Sequence, residues 1–137
     1  MSSPVGTAGT FHYELVLRNM SPSACSLDGF PGVSFLDSSG VELGPPATEG
    51  GAVARQLVTL APGAEGYVQL AVTDPGIPPC GGTGSVSQVR VYPPGSLLSA
   101  RVPAPPGMQV CTSPSTPTYT DSIVGPVTAS PNPGYAK

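Results

Sequence analysis

The sequence predicts an all-β domain, an immunoglobulin-like β-sandwich of about seven to nine short strands. Three observations carry this reading. Apolar residues recur at every second position in short runs, the mark of a strand with one buried and one open face. Gly (18) and Pro (19) together exceed a quarter of the 137 residues. Dispersed, they would signal disorder, but here they fall between the alternating runs, where they end strands and set turns. No window of about ten residues keeps a 3.6-residue period free of breakers and β-branched residues, which leaves no place for a helix. A small β-barrel is the alternative closure of the same strands.

Taken in order, residues 1–9 read as a flexible lead-in. Phe11, Tyr13, Leu15 and Leu17 then alternate with His12, Glu14, Val16 and Arg18, giving the clearest strand in the chain. Asn19-Met-Ser-Pro-Ser turns it, and a second strand over Ala24–Leu27 enters a dense corner, Cys25-Ser-Leu-Asp-Gly-Phe-Pro-Gly-Val33. Asp28-Gly29 and Pro31-Gly32 set the bend there, with Phe30 expected to tuck into the core. Val33 and Phe35 start a third strand, which Asp37-Ser-Ser-Gly40 returns into Val41–Leu43 as a hairpin. Residues 45–51 carry too many breakers to pair in a sheet.

Gln56–Leu60 forms the next strand. Tyr67–Thr73 follows with Val68, Leu70 and Val72 inward, and 74–84 is a long loop holding Cys80. Val86–Tyr92 turns Val89 and Val91 inward, Leu97–Val102 makes a weaker strand, and Met108–Cys111 a brief extended piece. Residues 113–121 are rich in Ser, Thr and Pro, and Ile123–Val127 reads as a terminal edge strand. The organisation is one sandwich domain over 10–128, followed by a disordered tail over 129–137.

Composition narrows the function. The net charge is −3, and the five basic residues are scattered rather than clustered. That speaks against nucleic acid and against an anionic membrane surface. No apolar run is long enough for a spanning helix, and the first residues have neither the basic start nor the apolar centre of a signal peptide. The low lysine content and the Ser/Thr/Pro/Gly bias suit an exported protein.

No catalytic constellation stands out. His12, the single histidine, lies on the outward phase of its strand, and a nucleophilic site needs a base oriented by a third group. Cys25 has no basic residue close in sequence to lower its pKa. Asp28, Asp37, Asp74 and Asp121 sit in turn contexts that Asp fills for its side-chain bond to backbone. The acidic residues are too scattered for a calcium loop, and three cysteines without a close C-x-x-C pair match no zinc pattern. The expectation is therefore no metal, no cofactor and no enzymatic activity. Gly81–Gly84 has no following Lys or helix and is no phosphate loop, and Asn19-Met-Ser21 matches the glycosylation sequon. Tyr67 and Tyr92, on the outward phases of two strands, are the candidate surface binding residues for a sugar or a protein.

The run from Leu15 to Gly40, with its Cys-Ser-Leu-Asp-Gly-Phe-Pro-Gly-Val motif, resembles an actinobacterial exported family known as the domain of unknown function "four-two-three-two". Val58-Thr-Leu-Ala-Pro-Gly-Ala, Cys80 followed by Val89-Arg-Val-Tyr-Pro-Pro-Gly, and the late Cys111 fit the same pattern. The resemblance runs from about Gly9 to Val127. It implies an extracytoplasmic protein, secreted or lipid-anchored, with a signal or anchor outside this stretch. It also implies a disulfide between Cys80 and Cys111. Cys25 is then left unpaired, its family partner lying upstream, and is either free or bridged to a second molecule. The family has no assigned activity. Together these observations suggest a non-enzymatic cell-envelope module that binds protein or glycan or serves structurally. A carbohydrate-binding module around Tyr67 and Tyr92 is the second reading, and an envelope-polymer hydrolase the third.

Overall fold

A computed structural model describes residues 5–7 (backbone), 10–44, 46–50, 55–73, 82–94, 100–112 and 122–129. The described elements are all strands: β1 Val5–Thr7, β2 Thr10–Arg18, β3 Cys25–Asp28, β4 Gly32–Leu36, β5 Thr48–Glu49, β6 Leu57–Leu60, β7 Glu65–Thr73, β8 Thr83–Ser85, β9 Gln88–Tyr92, β10 Ala100–Pro103, β11 Gln109–Cys111 and β12 Ser122–Val124. Cys80 and the rest of the loop over 74–81, the Ser/Thr/Pro-rich 113–121, and the tail beyond Ala129 lie outside the described residues.

The strands form a five-stranded sheet in the order β1-β2-β7-β12-β5, a three-stranded sheet β10-β9-β4, and two pairs, β11-β8 and β3-β6. Among the described residues no sheet closes on itself, so the architecture is the β-sandwich and not the barrel. The alternating sequence explains the core directly. β7 reads exposed, then buried at every second residue, with Val68, Leu70 and Val72 inaccessible to solvent. Tyr13 and Leu15 of β2 join them from the same sheet. Val33 and Phe35 of β4, Val89 and Val91 of β9, and Val110 of β11 meet them in one apolar cluster. Burial raises the Tyr13 phenol above its ordinary pKa, because the phenolate loses its hydration there.

Several elements differ from the sequence reading. Val5–Thr7, inside the expected lead-in, pairs with Thr10–His12 as a short antiparallel strand. Val41–Leu43 contributes only the bridge Leu36↔Glu42 and two backbone bonds, since the Asp37 turn is tight and the chain leaves at once. Thr48–Glu49 does enter a sheet, pairing in parallel with β12. Its Pro and Gly neighbours limit it to two residues at the sheet's end, where a strand needs only one partner. β12 is not an edge: it lies between β7 and β5. Thr83 and Gly84, the end of the expected loop over 74–84, pair with β11 together with Ser85.

At the corner, Gly29 adopts φ +101°, as an Asp-Gly bend requires. Phe30 stays half-exposed, and Pro31 is the fully buried residue instead. The Gly29 carbonyl is occupied, accepting from the Val127 N–H at 2.9 Å, so the C-terminal segment is pinned onto the corner.

Candidate binding site

A slot with predominantly apolar walls, of about 220 Å³, lies between residues of the two main sheets. Leu15, Val16, Leu17 and Arg18 of β2 form one side. Val91 and Pro93, with Ala100 and Val102 of β10, form the other. Tertiary structure alone assembles it, because β2 belongs to the five-stranded sheet and β9–β10 to the three-stranded one. A wider and more polar hollow of about 560 Å³ lies between the Asp37–Ser38 turn and Gly84–Ser87.

The two tyrosines do not share a platform. Tyr67 stands on the outer face of the five-stranded sheet, flanked in register by Val16 and bridged to Thr128. Its hydroxyl donates to Glu65 Oε1 at 3.4 Å. Partial desolvation and then the Glu65 charge raise its pKa. Tyr92 stands on the three-stranded sheet opposite Gly32, its ring lying over the glycine at van der Waals distance from where a Cβ would sit. The Arg90 guanidinium lies 5.7 Å from the Tyr92 ring centroid, within cation–π range. Arg90 also reaches Glu42 at 3.6 Å.

Residues 1–128 match the family model described as "Domain of unknown function (DUF4232)". The chain belongs to that family. No curated protein and no solved structure matches it.

In this DUF4232 domain the remaining sequence candidates fall as follows. Cys25 carries a free, half-buried thiol on β3, opposite Leu60. Cys111 is fully buried and disulfide-bonded, while Cys80 lies outside the described residues. His12 lies half-buried near the start of β2, opposite Ala71. Cys25 lies by the turn that follows the other end of β2, and the structure assembles no thiol–imidazole pair from them. Glu14, on the outward phase, is nevertheless only 5% exposed. Asp37 acts as a turn residue, its Oδ1 accepting from the N–H groups of Ser39 (2.8 Å) and Val41 (3.0 Å). Asp28 pairs with Arg55 at 3.0 Å on the exposed surface. Among the described residues no group of His, Cys, Asp and Glu could hold a metal ion.

Asn19 of the sequon is a structural residue. Its Nδ2 donates to the carbonyls of Ser23 (2.8 Å) and Leu60 (2.9 Å), and its Oδ1 accepts from the Ser21 backbone and hydroxyl. The slot, by contrast, was not legible in the sequence. Its residues come from strands far apart in the chain, and each looks like an ordinary strand residue. Arg18, a cation closing an otherwise apolar run, is the nearest thing to a signal.

Proposed function

We propose that this chain is a non-enzymatic, extracytoplasmic module of the cell envelope that binds a partner in the slot between β2 and β9–β10. The observation that carries the reading is the slot itself: concave, apolar and open to solvent, the form that binding sites take. Family membership and the exported-type composition support the location. The buried, bonded Cys111 beside the free Cys25 supports a Cys80–Cys111 staple, which an oxidising compartment would maintain. The test is binding of the apolar dye 1-anilinonaphthalene-8-sulfonate to the native chain. Fluorescence enhancement that is lost in Ala100→Trp, which fills the slot, supports the reading. Equal fluorescence in both proteins, or none in either, overturns it.

Glycan binding is the second reading, favoured by the Glu42–Arg90–Tyr92 row, which sets an aromatic ring beside charged hydrogen-bonding groups. It predicts array binding that Tyr92→Ala removes and Tyr67→Ala leaves intact, because the two residues stand on different sheets.

A further inference from the structure

Two of the chain's five basic residues stand directly opposite each other. Arg90 of β9 and Arg101 of β10 are register partners in an antiparallel pair, so both side chains leave the same face of the three-stranded sheet. It is the outer face, because Arg90 alternates along β9 with the buried Val89 and Val91. Like charges placed directly across two strands destabilise the pairing. In a chain with so few cations, crowding does not force that arrangement.

Little in the fold neutralises the pair. Arg101 is exposed and makes no ion pair or side-chain hydrogen bond among the described residues. Its guanidinium reaches the turn at Gly40, where an added Cβ would lie 3.3 Å from Nη1. Arg90 reaches the same stretch, its Nη2 standing 3.6 Å from Glu42 Oε2, an ion pair longer than a hydrogen bond. The Arg90 Nε is buried without a hydrogen-bond partner among the described residues. The Asp37 carboxylate at the start of that turn already accepts from the Ser39 and Val41 amides. Two guanidiniums therefore converge on residues 40–42, where Glu42 alone pairs with one of them.

We propose that this face binds an anionic saccharide, a sugar unit whose carboxylate or phosphate lies between Arg90 and Arg101. The anion offsets the repulsion across β9–β10 and gives both guanidiniums charge-assisted hydrogen bonds, a role that suits arginine because its planar fork matches either group. Two neighbours select a sugar over other anions. Tyr92 lies next on the same face of β9, in cation–π range of Arg90, and offers an aromatic surface to a sugar ring. Glu42 accepts hydroxyl protons but repels further negative charge. An acidic peptide would set its carboxylates against Glu42, and a bare inorganic anion would engage neither Glu42 nor Tyr92. The proposal rests on the glycan reading of the Glu42–Arg90–Tyr92 row, to which it adds Arg101 and the charge of the sugar.

The test titrates the full chain with methyl glucuronide, its neutral methyl ester, glucose 6-phosphate and inorganic phosphate, following amide NMR shifts. Methyl glucuronide, glucose 6-phosphate or both are expected to move the Arg90, Tyr92 and Arg101 signals, with a Kd on the order of 1 mM for a single sugar unit. Which of the two binds tells a sugar carboxylate from a sugar phosphate. The methyl ester is expected to bind about tenfold more weakly or worse, and Arg101→Gln is expected to weaken the charged sugar about tenfold. The thermal midpoint of Arg101→Gln is expected to hold or rise, because the like-charge pair is gone; a lower midpoint would mean that Arg101 serves the fold and overturns the proposal. Affinity indifferent to Arg101→Gln overturns it as well. Acid and ester binding equally, with both lost in Tyr92→Ala, would leave the glycan reading standing and remove the charge requirement. Inorganic phosphate binding as tightly as the sugars would leave an anion site without a sugar. Signals unmoved by any sugar would remove the glycan reading and this inference together.

Discussion

The carboxamide nitrogen of Asn19 donates to the backbone carbonyl of Leu60 at 2.9 Å, joining the end of β2 to the end of β6. Its second proton goes to Ser23. The turn between β2 and β3 is thus held by one side chain, 6% exposed, whose nitrogen and oxygen are both engaged. Two backbone bonds reinforce the junction, from Asn19 to Ala64 (2.9 Å) and from Gly63 to Asn19 (2.8 Å). The outcome is a fixed geometry where the five-stranded sheet meets the β3–β6 pair, close to the Arg18 end of the slot.

Asn19→Ala is therefore expected to destabilise the domain by about 2 kcal/mol, because the buried Leu60 carbonyl loses its side-chain donor and the Ser21 contacts to Oδ1 are lost with it. Urea denaturation with an unchanged m-value would register it. Asn19→Asp is expected to be nearly as harmful, because a carboxylate brings acceptors where two donors are needed. Since both Nδ2 protons are used within the fold, the sequon is expected to stay unmodified in the folded protein, which intact mass after expression in a glycosylating host would check.

The long strands were legible in the sequence because a half-buried strand writes its burial directly as alternation. β2 and β7 appear where Phe11–Arg18 and Tyr67–Thr73 predict them. What sequence missed is pairing that depends on distant partners. Nothing around Thr48–Glu49 announces a strand, and it becomes one only because Ile123–Val124 lies beside it. Phe30 and Pro31 exchange roles because hydrophobicity alone does not say which neighbour a bend turns inward. Glu14 breaks the simple pattern from the other side, a carboxylate on the outward phase that is nonetheless buried. The slot is the extreme case, since its apolar residues belong to both sheets and only the packing of those sheets makes them a site.

Two glycines with positive φ separate strain from crowding. At Gly44, φ is +65° and an added Cβ would lie 2.7 Å from the Cys111 carbonyl oxygen. At Gly107, φ is +82° and nothing lies within 4 Å. Gly107→Ala is expected to cost about 1 kcal/mol from the left-handed backbone alone. Gly44→Ala is expected to cost about 2–3 kcal/mol or more, because the strand end at Cys111 must shift as well. Thermal melts of the two variants, measured side by side, give the difference.

The cysteines predict a thiol count and a redox effect. Native and denatured protein are expected to show one thiol by titration, mapped to Cys25, and three after reduction. If Cys80 pairs with Cys111 as proposed, reduction is expected to remove about 3–4 kcal/mol of stability through the freed unfolded chain. Cys25→Ser is expected to cost about 1 kcal/mol, because the thiol is half-buried and packed at the margin of the core. Three thiols in the unreduced protein would exclude the staple.

Alkaline pH provides a probe of the core through Tyr13. Its folded-state pKa is raised above the ordinary 10.0 by burial, so above pH 10 the unfolded chain releases the phenolic proton while the folded chain retains it. The unfolded state then binds fewer protons, and the slope of stability against pH is negative. Stability is expected to be complete below about pH 10 and to fall as pH rises through the interval up to the raised folded value. Tyr67, raised in the same direction by desolvation and by Glu65, adds a smaller contribution of the same sign. Denaturation midpoints between about pH 8 and pH 11.5 in the native protein and in Tyr13→Phe separate the two. The Phe variant keeps the apolar ring and removes the ionisation, so its midpoint is expected to decline less steeply above pH 10. Parallel declines in the two proteins would place the alkaline lability outside the core.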